Sequence, residues 1–193
     1  MKNKFTLLNF KKVKIKLLNS KKVFTPNLTT QLLMESVKIK KSRRKIKILD
    51  LGSGTGIIGI YLKILYGKKV DIYFSDKSPH AIKLIKKNIK LNNISGIVKQ
   101  SDIFKNWEGN KFDLVINDIS AIDKNIAKNF WYNENIPSDC GDDGIKLTKK
   151  VLLSVKKYLY KNGEMYLPII SLSDHVKIKK ILKQKFKSKL IIG

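Results

Sequence analysis

The run Ile48-Leu49-Asp50-Leu51-Gly52-Ser53-Gly54-Thr55-Gly56-Ile57-Ile58-Gly59 constrains this chain more than any other feature: an apolar strand breaks into closely spaced glycines and resumes as an apolar helix. Glycine reaches left-handed backbone geometry at low cost and lets the main chain approach a ligand closely. The helix that opens behind such a turn offers unpaired amides to that ligand. The rest of the chain agrees with this unit. Strands are expected at 45–51, 70–75, 96–101, 112–117, 163–170 and 187–192, with helices from about Gly56, over 79–92, near 144–160 and from Ser173. Alternation of this kind requires crossovers between parallel strands, so the expected fold class is α/β, a doubly wound, mainly parallel sheet with helices on both faces. At 193 residues and 42% hydrophobic composition, the chain suits one such domain.

Residues 1–44 read as a basic N-terminal segment ahead of a domain spanning 45–193. Val13, Ile15 and Leu17 alternate with Lys12, Lys14 and Lys16, the period of a half-buried strand belonging to a hairpin or a sheet edge. The segment from Phe24 to Thr30 then starts a helix, with Leu32, Leu33 and Val37 expected on its buried side, and a lysine- and arginine-rich linker follows at 38–45. At the other end, a single strand remains before Gly193. A shortened sheet with an incomplete C-terminal hairpin is therefore expected, and a Leu- and Ile-rich edge of that kind promotes self-association. The alternatives are a strand around Val13–Leu17 filling the edge, or a truncated reading frame.

Partners are bounded by charge. The formal net charge is +26, with 41 basic residues against 15 carboxylates, and all of the basic residues except Arg43 and Arg44 are lysines. An AT-rich genome inflates lysine, whereas the shortage of carboxylates points to an anionic partner such as RNA or a ribosomal surface. Both readings stand. No apolar run approaches the roughly 20 residues that span a bilayer, so a cytosolic protein without membrane contact is expected. Cys140 is the single cysteine and has neither the cysteine nor the histidine neighbours of a zinc site, so no metal is expected.

The glycine run alone admits two ligands. Gly54-x-Gly56-x-x-Gly59, with Asp76 placed 20 residues after Gly56, matches a dinucleotide fingerprint. Asp50 argues the other way, because a carboxylate just before the first glycine repels a pyrophosphate and suits a cofactor carrying a sulfonium and an ammonium. With that acid included, Asp50-x-Gly52-x-Gly54-x-Gly56 resembles the signature of class I S-adenosylmethionine-dependent methyltransferases. The segments 24–30, 141–147 and 161–167 are similar to the small-domain branch of that family, which contains release-factor glutamine and ribosomal RNA guanine methyltransferases. The resemblance covers about residues 22–186.

It implies S-adenosyl-L-methionine as cofactor, with Asp50, Gly52, Gly54 and Gly56 at the methionine end, Asp76 on the ribose hydroxyls and Asp102 on the adenine amino group. Asn117 would face the transferred methyl group. Where many relatives carry Asn-Pro-Pro-Tyr or Asp-Pro-Pro-Tyr, this chain reads Asn117-Asp118-Ile119-Ser120. The missing prolines and tyrosine argue against glutamine or adenine methylation by that clamp. Asn117 and Asp118 are the candidate catalytic residues, and Ile119, Ser120, Trp131 and Tyr132 the candidate acceptor contacts. The bland alternatives are a solvated loop acid for Asp118, a helix cap for Asp76, core packing for Trp107, and surface positions for His80 and His175.

The expected function is methylation of a macromolecule of the translation apparatus, ribosomal RNA or protein. A small-metabolite methyltransferase is the first alternative. An NAD-type oxidoreductase, or a cofactor-binding module without catalysis, is the alternative of another class.

Overall fold

In the computed structural model, which describes residues 5–119, 122, 123, 126 and 140–189, five strands form one parallel sheet. They are β3 (Ile46–Leu51), β4 (Val70–Asp76), β5 (Ile97–Gln100), β6 (Phe112–Asn117) and β7 (Leu159–Tyr166), in the order β5-β4-β3-β6-β7. The chain runs outward from β3 to β5, then crosses back to β6 on the other side. This reversal opens a crevice at the carboxyl ends of β3 and its neighbours, where open α/β sheets bind ligands. Helices α2 (Ile57–Tyr66), α3 (Pro79–Leu91), α4 (Lys146–Ser154) and α5 (His175–Lys185) supply the crossovers and flanks. No helix among the described residues is long and apolar enough to cross a membrane.

The central strands are largely apolar because both of their faces are covered. Ile48, Ile72, Phe74, Leu114 and Ile116 pack towards α2, while Leu49, Leu51, Phe112 and Val115 pack with Trp107 and with Val151 and Val155 around α4. Trp107 is 1% exposed and donates its indole N–H to Ser75 Oγ at 2.9 Å, so it belongs to the core. His80 and His175 lie at the surface.

The N-terminal strands β1 (Thr6–Phe10) and β2 (Val13–Leu17) form their own antiparallel hairpin and do not join the sheet edge. Val13, Ile15 and Leu17 are buried in the α2-side core, as their alternation with lysines required. The outer edge of β2 is satisfied by side chains. Lys16 N–H donates to Asn92 Oδ1 (2.9 Å) and Asn92 Nδ2 donates back to Lys16 O (2.7 Å), while Asn88 repeats the exchange with Leu18 (2.8 and 3.1 Å). Two asparagines one helical turn apart thus present α3 to the hairpin as if it were a third strand.

Several expected boundaries shift. The first helix, α1, spans Leu28–Ser36, with Asn27 as its N-cap accepting from Thr30 N–H. Its buried stripe runs Thr30, Leu33, Met34 and Val37, so Leu32 is 39% exposed and Met34 takes the buried place expected for it. The expected helix near 144–160 ends as α4 at Ser154, continues as a 3-10 turn through Tyr158, and β7 starts at Leu159 rather than at 163. An irregularity in the β6–β7 ladder explains the early start: Phe112 pairs with Leu159, but Leu114 already pairs with Glu164. The last helix begins at His175, with Asp174 accepting from Lys177 N–H as its N-cap. Of the expected terminal strand, residues 187–189 carry no strand and the remainder lies outside the described residues.

Candidate functional site

The glycine turn is built from the ends of β3 and β4. Gly52 and Ser53 both donate backbone N–H to Ser75 O, at 2.8 and 3.0 Å, and Ser53 Oγ donates to Asp50 O at 2.6 Å. Gly52 has φ +74°, and a Cβ there would lie 2.6 Å from Ile119 Cγ1. The requirement for glycine therefore comes both from left-handed backbone and from the close approach of the chain leaving β6.

Asp50 is fully buried and accepts from Gly59 N–H in α2 through Oδ2 at 3.0 Å. Its Oδ1 has no hydrogen-bond partner among the described residues. Burial pushes its carboxyl up to about 7; the Gly59 bond works against this, and the charges of Asp118 and Asp76 add to it. Asp76 ends β4 and accepts from Gly54 N–H through Oδ2 (2.9 Å) and from Ser78 N–H through Oδ1 (2.8 Å). It braces the glycine turn while Ser78 caps α3, and burial likewise raises its pKa. Asp118, immediately after β6, accepts from Thr30 Oγ1 of α1 at 2.8 Å. Desolvation raises its carboxyl to about 6, with the Thr30 hydroxyl opposing the shift, so it is not the solvated loop acid of the bland reading.

Asp50, Asp76 and Asp118 thus gather at the carboxyl ends of β3, β4 and β6, and the charges of the other two oppose the ionisation of Asp50. Thr55 Oγ1 and Asn117 Oδ1 are also buried without partners among the described residues. Asn117 itself is 1% exposed and lies beside Leu51 in the ladder. Asp102 stands apart, half-exposed beyond β5 and ion-paired with Lys77 at 3.4 Å. Ile119 sits against the glycine turn. Ser120, Trp131 and Tyr132 lie outside the described residues. Farther along, a cavity of about 310 Å³ beyond β6 and β7 is lined by Asp123, Asp143 and Asp174, the last two of which pair with Lys177. No group of three or more His, Cys, Asp or Glu able to hold a metal occurs among the described residues.

Two contributors carry no signal of their own in the sequence. Thr30 reaches Asp118 across 88 positions, and Asn88, fully buried, donates to Thr55 O at 2.9 Å inside the glycine turn while holding Leu18 of the N-terminal segment. That segment ends over the turn, with Phe24 O 3.9 Å from where a Gly54 Cβ would stand.

The raised carboxyls set an expected pH response. Each group's folded pKa lies above its unfolded value, so the folded state holds protons that the unfolded chain releases, and stability falls as pH rises from about 4 through about 7. Asp50→Asn removes the largest share. The stability of the natural chain relative to Asp50→Asn should drop by a few kcal/mol between pH 5 and pH 7.5, read from urea unfolding at each pH. A pH-independent difference would show that Asp50 ionises normally.

A parallel sheet reversing at β3, with strand-end acids around a left-handed glycine turn, defines the Rossmann-like methyltransferase fold. The comparisons make this specific: residues 14–119 match the model of the family described as methyltransferase small domain, and the chain belongs to that family. It is 31% identical over 128 residues to a ribosomal protein uL3 glutamine methyltransferase of Francisella tularensis, an alignment covering 63% of this chain and 40% of the relative. It is also 31% identical to a Methanocaldococcus jannaschii protein provisionally named protein N5-glutamine methyltransferase, over 77% of this chain and 73% of the relative. Its fold matches the ribosomal protein L11 methylase of Lactobacillus delbrueckii subsp. bulgaricus at TM-score 0.63 and 21% identity, covering 89% of this chain and 76% of that one.

Proposed function

We propose that the chain is an S-adenosylmethionine-dependent methyltransferase acting on a macromolecule of the translation apparatus. The observation that carries the cofactor is the convergence of Asp50, Asp76 and Asp118 in desolvated surroundings at the strand ends, with Asp50 Oδ1 unpartnered among the described residues. Such a setting gains from a ligand carrying a sulfonium and an ammonium, and it repels the pyrophosphate of a dinucleotide. The residues present therefore fit S-adenosylmethionine, which when bound supplies an activated methyl group with a neutral thioether as leaving group.

The protein's own part is alignment and proton handling. Asp50 with the glycine turn holds the methionine end, Asp76 the ribose and Asp102 the adenine. Asn117, whose buried oxygen has no partner among the described residues, orients the acceptor, and Ile119, Ser120, Trp131 and Tyr132 border it. Asp118, its pKa brought close to neutrality and its carboxylate steadied by Thr30, accepts the acceptor's proton at Oδ1 or Oδ2. The acceptor's class rests on the name of the Francisella relative and on the charge of +26.

Thermal shift with S-adenosylmethionine against NAD tests the cofactor: at a concentration of about 100 Kd a bound ligand adds roughly 2.7 kcal/mol, a shift of several degrees. Only S-adenosylmethionine should produce it, and Asp118→Asn should retain the shift while losing about a hundredfold in methyl transfer to a ribosomal fraction. A shift with NAD alone would overturn the assignment.

A further inference from the structure

We propose that the outer face shared by the β1–β2 hairpin and α3 binds the phosphate backbone of RNA and leads it towards the glycine turn. This deepens the translation-apparatus reading and rests on it for the choice of RNA among polyanions. The face is made from two stretches without carboxylates: the first acid of the chain is Glu35, and none occurs between Asp76 and Asp102. Far apart in sequence, they are joined side by side through Asn88 and Asn92. Lys14, Lys16, Lys22, Lys83, Lys87 and Lys90 are all exposed on them, and none has a carboxylate within 4 Å among the described residues.

Unpaired ammonium groups on a rigid surface gain by displacing the counterions of a polyphosphate, a gain that ion-paired lysines do not offer. Aromatic rings flank the track. Phe5, 43% exposed, lies under Lys16 Nζ at 5.7 Å, and Phe24, 45% exposed, stands where the segment passes over Gly54. Exposed rings beside cations accept unstacked bases irrespective of sequence. The Lys22–Phe24 end of the track adjoins the three-acid cleft, so bound RNA would be delivered to the mouth of the site and not to its far side.

Lysine abundance alone predicts that any lysine-rich helix would serve equally, and α5 provides that comparison. Binding of a fluorescein-labelled 20-nucleotide uridine RNA is measured by anisotropy, without cofactor, between 50 and 200 mM KCl. The triple variant Lys83→Gln, Lys87→Gln, Lys90→Gln should weaken binding about tenfold or more and flatten the slope of log K against log salt by about 2. The variant Lys179→Gln, Lys180→Gln, Lys183→Gln on α5 removes the same charge and should change binding less than about twofold.

Equal losses in the two variants, no loss in either, or a polyglutamate chain bound as tightly as RNA would each overturn the proposal. If the α3 variant melts early, Lys14→Gln with Lys16→Gln carries the same test from the hairpin. S-adenosylmethionine binding is read separately on the natural chain. Its absence would overturn the methyltransferase reading and leave the RNA result standing.

Discussion

Gly59→Val should destabilise the domain by about 3 kcal/mol, lowering the melting temperature by roughly 6–12 °C for a chain of this size. A Cβ at this position would stand 2.3 Å from Phe74 Cε1 and 2.8 Å from Ile72 Cγ2, both fully or almost fully buried in β4. Neither can swing aside, because Phe74 and Ile72 lie in the core that α2 and the hairpin share. Valine in place of glycine gains a few tenths of a kcal/mol in helix propensity, too little to offset the overlap. The helix must therefore lift from the sheet, carrying with it the Gly59 amide that Asp50 Oδ2 accepts. Melting followed by circular dichroism checks this, and a shift under 2 °C would mean that α2 packs farther from β4 than described.

Asp76→Ala should weaken S-adenosylmethionine binding by ~3 kcal/mol or more, a hundredfold in Kd. The carboxylate does two jobs. Its oxygens already accept Gly54 and Ser78 N–H groups, so its removal frees the glycine turn as well as deleting the proposed ribose contacts. Folding should suffer much less than binding, since Asp76 is desolvated and its charge opposes that of Asp50. Calorimetric titration alongside a melt separates the two effects. Undiminished affinity in a folded Asp76→Ala protein would remove this residue from the cofactor site.

Much of this architecture was legible locally. Each candidate site acid stands at or within two residues of the carboxyl end of a strand, and the glycines occupy fixed offsets from Asp50, so the pattern survives in one dimension. Asp118 could be named from its place after β6 but not given a state, because its pKa depends on desolvation in the folded chain and on a hydroxyl from α1. Core packing is the commoner fate of an aromatic such as Trp107, and the placement of Ser75 and of the Tyr73 and Phe112 rings bears that reading out. The start of β7 was misplaced because the irregular pairing with β6 absorbs extra residues that no periodicity announces.

The sequence by itself determined the α/β class, the order of elements, the glycine turn and the acids at the strand ends, because these follow from hydrophobic period and from glycine's backbone freedom within a few residues. Only the tertiary structure decided that three of those acids lie together in desolvated surroundings, that Asn88 and Asn92 complete the N-terminal hairpin, and that two acid-free stretches lie side by side. The last two depend on contacts 70 to 76 positions apart, in the pairs Asn88–Leu18 and Asn92–Lys16, and the setting of Asp118 depends on Thr30, 88 positions away. Long-range pairing of this kind is set by how whole elements pack, and no local window contains it.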